Sequence, residues 1–324
     1  MTVETKTAAS KKPQKKDFKF KNIIGKTPKE KSRNRFIFCC VTPTFLLFLL
    51  FKIYPMISAA KMSLYRSTGL SSAPTFIGFE NFTTLFNDPV FWKSLGNTFF
   101  LLGVFPLATM LLALFFAVIL TQGKIFEWEK TLYRLVFFLP NVLSMVVIGM
   151  LFMYIYDFNL GILNSFLDFV GMGALKRTWL GESSTVMWAL AFTMVWQAAG
   201  YYMVMYISGI NRIPEDLYEA ATLDGASPIK QFFIITLPLI WEVVRVTITF
   251  FITGAFNLSF IFVKVMTKGG PNNASQTLLN YMDTQAFMNA NYGYAMAISV
   301  VVFVIAIALA LIVKKITERE VIEL

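Results

Sequence analysis

The chain has 324 residues, 56% of them hydrophobic and only 15% charged, with 34 phenylalanines. That balance excludes an ordinary water-soluble enzyme and points to a polytopic membrane protein. The net charge of +10 does not argue for nucleic acid, because residues 1–35 hold twelve Lys or Arg against Glu4, Asp17 and Glu30 and account for nearly all of the excess.

Residues 1–35 are poor in apolar side chains and are expected to form a disordered or weakly structured basic tail. Beside a first membrane span such a tail is the positive-inside signal, which places the N-terminus in the cytoplasm and favours contact with anionic membrane lipid. The first span is expected at 36–58, whose 23 positions at about 1.5 Å each roughly cover the hydrocarbon core. Lys52 can snorkel to the headgroups, and the adjacent Cys39 and Cys40 read as small buried thiols. The stretch does not read as a cleaved signal peptide. The chain has no histidine, which removes the commonest metal ligand and general base.

Residues 59–96 leave the membrane, with turn formers Gly69, Ser71, Ser72, Pro74 and Gly78 followed by an aromatic, interfacial stretch. Further spans are expected at 97–121, 135–156 and 185–208, separated by a polar connection (Glu127, Glu129, Lys130, Arg134) and by an outer segment, 157–184. Four crossings return the chain to the cytoplasm, so 211–240 is an inside loop. Spans at 243–266 and 292–313 complete six crossings, around an outer loop containing Lys268-Gly269-Gly270-Pro271 and ending at Lys314, Lys315 and Arg319. Tyr281, Phe287, Tyr292 and Tyr294 fit an aromatic belt.

The inside loop has legible local physics. Pro214, Glu215 and Asp216 suit the first turn of a helix running to about Leu223. Asp224-Gly225 supplies a stop, because glycine takes the left-handed conformation without a Cβ clash. Ser227-Pro228 starts a second short helix with Ile229, Phe232, Phe233 and Thr236 on one face, and Pro238 is expected to drive Leu237 out of the helical region and end the unit. The two helices meet at a glycine-dependent corner.

Glu219-Ala220-Ala221, Gly225 six positions after the glutamate, Ile235 and Leu237-Pro238 together resemble the EAA-x3-G-x9-I-x-LP pattern of bacterial ABC importer permeases. The blocks FIGFENFTTLFNDPVFWKSLGNT, YRLVFFLPNVLS, GILN with TWLGE, and TKGGPNNASQTL are similar to the sugar-importing, maltose-type branch, over about residues 36–315. The resemblance implies an all-α, six-span type I importer fold occupying 36–324, in a bacterial cell membrane, inner or plasma, with both termini cytoplasmic. It implies a coupling loop, in which Glu219, Ala220, Ala221, Asp224, Gly225, Leu237 and Pro238 serve docking on an ATPase subunit. The partners it implies are two nucleotide-binding ATPase subunits, a second and distinct permease, and an extracytoplasmic solute-binding protein that the TKGGPNNAS segment faces. This chain itself has no G-x4-G-K-[ST] pattern, so no cofactor is expected on it, and ATP and Mg belong to the ATPase partner.

No span carries Asp or Glu at mid-membrane depth, which argues against an ion-coupled relay. Gln197 and Tyr201 are four apart on one helical face, and Phe256, Asn257 and Ser259 follow on the fifth span. Amides and hydroxyls for sugar hydroxyls, with aromatic faces for stacking, make these five the candidate substrate path. Interhelical hydrogen bonds use the same residue types. Tyr201 also falls where the maltose-type permeases place a sugar-contacting tyrosine. Competing readings are a permease of the same branch for glycerol phosphate or a uronate-containing oligosaccharide, a stand-alone secondary carrier, and a polytopic membrane enzyme. The last lacks any HExxH or nucleophile-elbow pattern.

Overall fold

A computed structural model describes residues 28–69, 73–123 and 125–317, so that Glu4, Asp17, Ser71, Ser72 and Arg319 lie outside the described residues. The chain divides into two units, residues 1–58 and 59–324. In the first unit, α1 (Pro28–Phe48) passes through a π-turn at Leu49–Ile53 into α2 (Tyr54–Met62), which ends in the second. Helix therefore begins at Pro28 rather than at residue 36, within the stretch expected to be weakly structured. The run Lys31–Met62 is long and apolar enough to cross a membrane, and none of its apolar window is buried. Cys39 and Cys40 are exposed, not buried as expected.

After the end of α2 the second unit has a two-residue hairpin, β1 (Tyr65–Arg66) pairing antiparallel with β2 (Thr75–Phe76). A short α3 (Glu80–Phe86) precedes α4 (Pro89–Gln122), whose start is fixed by Asp88: its carboxylate accepts from the Val90 N–H at 2.8 Å, and Pro89 takes the first position. The interfacial stretch is thus divided, and its second half belongs to the membrane helix. Along α4, Thr98, Leu101, Phe105, Thr109, Ala113 and Ala117 are buried at steps of three and four, one continuous helical face. Leu107, Leu111 and Phe115 point away from it and are exposed.

The expected third span is broken. Helix α5 (Glu127–Val142) meets α6 (Met145–Ile155) at 101°, with Leu143 and Ser144 both extended. An outer segment follows, with α7 (Ile162–Phe169) and a 3₁₀ turn at Gly173–Leu175. The buried Asn164 organises it, accepting from the Trp179 indole N–H at 2.9 Å and donating to the carbonyls of Phe158 and Arg177.

Helix α8 (Val186–Ile210) is the centre of the unit, with seventeen of its residues buried, and it packs chiefly on α4 and α5. Helices α9 (Glu215–Leu223), α10 (Pro228–Gln231) and α11 (Leu237–Leu239) form the corner, and α12 (Trp241–Met266) leaves it at 70°. The unit closes with α13 (Leu278–Asp283) and α14 (Tyr292–Thr317). Among the described residues three helices are long and apolar enough to span a membrane, or five if each bent pair counts as one span. Helix α8 carries Thr193 and Gln197 inward, both buried.

Candidate functional site

At the corner, α9 carries Glu215 and Asp216 in its first turn and stops at Asp224. Gly225 has φ +75°, and the bonds from Gly225 N to Thr222 O (3.0 Å) and Ala226 N to Ala221 O (2.9 Å) complete a Schellman cap. The Ser227 hydroxyl then caps α10 by accepting from Lys230 N. Gln231, buried, spans the corner by donating to the Thr222 hydroxyl (2.9 Å) and the Ala226 carbonyl (3.1 Å).

Leu237 stays helical, at φ −63° and ψ −42°, contrary to the expectation for a residue before proline. The reason is a π-turn over Phe232–Thr236, whose wider register accommodates Pro238 without the usual clash. The break comes instead at Ile240, φ −90° and ψ 8°. Thr236 is fully buried; its hydroxyl shares a hydrogen bond with the Tyr218 hydroxyl (2.9 Å) and accepts from the Gln122 amide (3.3 Å), tying α9 to the end of α4. Sequence periodicity does not reveal this hub, because its three members lie on three elements.

What the corner leaves outside is apolar. Leu223 is 89% exposed, and Ile229, Phe233 and Ile234 are exposed beside Leu217, Glu219, Ala220 and Asp224, while Ala221 is half-buried. The face expected of Ile229, Phe232, Phe233 and Thr236 therefore splits, with only Thr236 buried.

Between α4, α5, α6, α8 and α12 lies a cavity of about 320 Å³ lined by Asn141, Gln197, Tyr201, Tyr202, Phe250, Phe251 and Asn257 among others. Gln197 is only 3% exposed, and among the described residues no protein group hydrogen-bonds its amide or those of Asn141 and Asn257. Tyr202 stacks on Phe251 at 4.1 Å between ring centroids, with Tyr201 edge-on to Tyr202. Three amides with spare hydrogen-bonding capacity beside aromatic faces can bind a polyhydroxylated solute. Phe256 and Ser259 are not in this cavity: Phe256 packs in the core near Leu278 and Tyr294, and the Ser259 hydroxyl donates to the Phe256 carbonyl. Asn141 was not legible as a site residue, because its place depends on the α5–α6 break.

At the opposite end of the unit, Asn97 on α4 donates to the carbonyls of Ala274 (3.0 Å) and Gln276 (2.9 Å), and Lys93 to that of Asn272 (2.7 Å). These bonds fix the 268–276 loop, leaving Lys268, Asn272 and Asn273 exposed. Asp88 accepts hydrogen bonds from the Tyr281 and Tyr294 hydroxyls, the latter at 2.6 Å. Both tyrosines are buried, so neither belongs to an aromatic belt. Burial of Asp88 opposes its charged form, but the Tyr281, Tyr294, Val90 and Phe91 hydrogen bonds outweigh it and hold the carboxyl below its ordinary value. Burial, and then the Asp88 carboxylate, push Tyr281 up to about 12.

A profile of the family described as binding-protein-dependent transport system inner membrane component matches residues 113–321. The chain is 40% identical to the probable ABC transporter permease protein YurN of Bacillus subtilis, over 75% of this chain and 82% of that one. It is 33% identical to the diacetylchitobiose uptake system permease protein NgcF of Streptomyces coelicolor, over 76% and 72% of the two chains. In structure it matches a chain of a bacterial alginate ABC transporter, solved in complex with an alginate pentasaccharide-bound periplasmic protein. That match has a TM-score of 0.75 at 22% identity and covers 90% of this chain and 99% of the other.

Proposed function

The chain belongs to the family of binding-protein-dependent transport system inner membrane components, multi-pass membrane proteins, and from that premise we propose that it is the permease subunit of an ATP-driven sugar or oligosaccharide importer. The observation that carries the substrate class is the cavity lined by Tyr201, Tyr202 and the amides of Asn141, Gln197 and Asn257, which have no hydrogen-bond partner among the described residues. Relatives named for diacetylchitobiose and for lactose support it.

In this reading the protein crosses the bacterial inner membrane six times, with α8 as the fourth crossing and both termini cytoplasmic. The corner from Glu215 to Thr236 docks on a nucleotide-binding ATPase subunit, to which ATP and Mg belong. Its rigidity supports that role: a Schellman cap, a serine cap and the Gln231 stitch hold two helices at one angle beneath an exposed apolar face. Glu219, Ala220, Ala221, Asp224 and Gly225 belong to that surface, and Leu237 and Pro238 lead back to α12. A second permease completes the pore, and a solute-binding protein docks at the end bearing Lys268, Asn272 and Asn273.

The test is uptake of a panel of labelled oligosaccharides by a strain lacking the native gene and supplied with wild type or with Gln197→Ala, Asn257→Ala or Tyr201→Ala. The variants are expected to assemble with the ATPase normally and to lose most uptake of the one sugar that wild type carries. Unchanged uptake in all three overturns the cavity as the substrate path.

A further inference from the structure

Near the corner end, α12 and α14 leave a trough of about 540 Å³ between them, lined by Arg245, Thr249, Ile252, Leu311, Val313 and Lys314 among others. A second trough of about 290 Å³ continues from it, sharing Ile252 and Val313 and reaching Gly103, Pro106 and Met110 of α4. Two adjoining apolar troughs with Ile252 and Val313 as shared walls thus lie in line from a pair of cations toward the middle of the membrane helices. From Arg245 to Ile252 alone the first follows α12 for about 10 Å at 1.5 Å per residue. Gly103 deepens the second, since nothing lies within 4 Å of where its side chain would begin. At the mouth the Trp241 indole donates to the Thr317 carbonyl, pinning the end of α14 to the start of α12.

Among the described residues, the charge of Arg245, Glu242 and Lys314 at the mouth sums to a net positive. Glu242 pairs with Arg245 at 2.7 Å, engaging one of its nitrogens and leaving the other guanidinium donors. Lys314 is exposed and has no carboxylate partner among the described residues. The troughs below take hydrocarbon and the mouth takes an anion.

We propose that this groove is a binding site for an anionic glycerophospholipid of the membrane leaflet on the corner side. Its phosphate sits between Arg245 and Lys314, and one acyl chain lies past Ile252 and Val313 toward Gly103. The inference rests on the family's membrane location but not on the sugar reading, and the test below uses no sugar. Because α12 starts one residue after α11, the lipid braces the helix that leaves the corner.

The test uses the full transporter purified in mild detergent, with lipid binding followed by native mass spectrometry and by thermal shift during titration with phosphatidylglycerol or phosphatidylcholine. Phosphatidylglycerol is expected to bind and raise Tm, and phosphatidylcholine is not. At about 1 kcal/mol per surface cation, Arg245→Gln with Lys314→Gln weakens phosphatidylglycerol binding about thirtyfold. Gly103→Leu, which fills the second trough and keeps both cations, also lowers it, while Lys93→Gln at the opposite end leaves it unchanged. Equal binding of both lipids, retention by both groove variants, or a helix of a partner subunit found in the groove overturns the proposal.

Discussion

Gly200 has no side chain at the point where α8 crosses α5, and a Cβ built there overlaps the Phe137 carbonyl. The close approach sits between Gln197 and Tyr201, so it sets how α5 delivers Asn141 to the cavity. Gly200→Ala forces the helices apart, at a cost of about 1–3 kcal/mol for overpacking. A lowered Tm together with lost uptake is the expected result. Gly225 differs in kind: nothing lies within 4 Å of a side chain there, so only its φ of +75° resists substitution. Gly225→Ala should cost about 1–2 kcal/mol, and in the assembled transporter it is expected to weaken the link between ATP hydrolysis and uptake, read as the ratio of the two rates. Gly225 was legible because its cap is written in consecutive residues. Gly200 was not, because its partner lies 63 positions away in the chain.

At the scale of elements, the helices and the Gly225 corner were readable, and the breaks within the expected spans were not. Periodicity reports which face of a helix is buried, as along α4, but not that α5 and α6 part at Leu143–Ser144 or that Pro238 rides through a π-turn. Those features depend on what packs alongside. The Asp88 cluster joins α4, α13 and α14 through one carboxylate, and its acid behaviour has a definite sign. The folded pKa lies below the ordinary 3.8, so the contribution is complete above about pH 5 and is lost as pH falls through 3.8 toward the folded value. Tyr281 acts at the other end: ionising near 10.0 when unfolded and about 12 when folded, it withdraws stability as pH rises between the two. Tm measured against pH should fall at both extremes in wild type, and Asp88→Asn should flatten the acid limb. Asp88→Ala removes the α4 cap, worth about 1 kcal/mol, and takes from the Tyr281 and Tyr294 hydroxyls the carboxylate they share.

For the whole molecule, membrane class and family were legible because they rest on composition and on a spaced pattern within one loop. The cavity was legible only in part: Gln197, Tyr201 and Asn257 line it, Phe256 and Ser259 turn elsewhere, and Asn141 arrives by way of a break. The central claim joins that cavity to a separate motor through the corner. Its most direct test is sugar uptake into proteoliposomes holding this chain with its partner permease and ATPase, with the solute-binding protein added, in the presence and absence of ATP. Uptake that requires ATP, and that Glu219→Lys abolishes while the cavity stays intact, is the result this account predicts. Uptake driven by an ion gradient without ATP, or undiminished by Glu219→Lys, would contradict it.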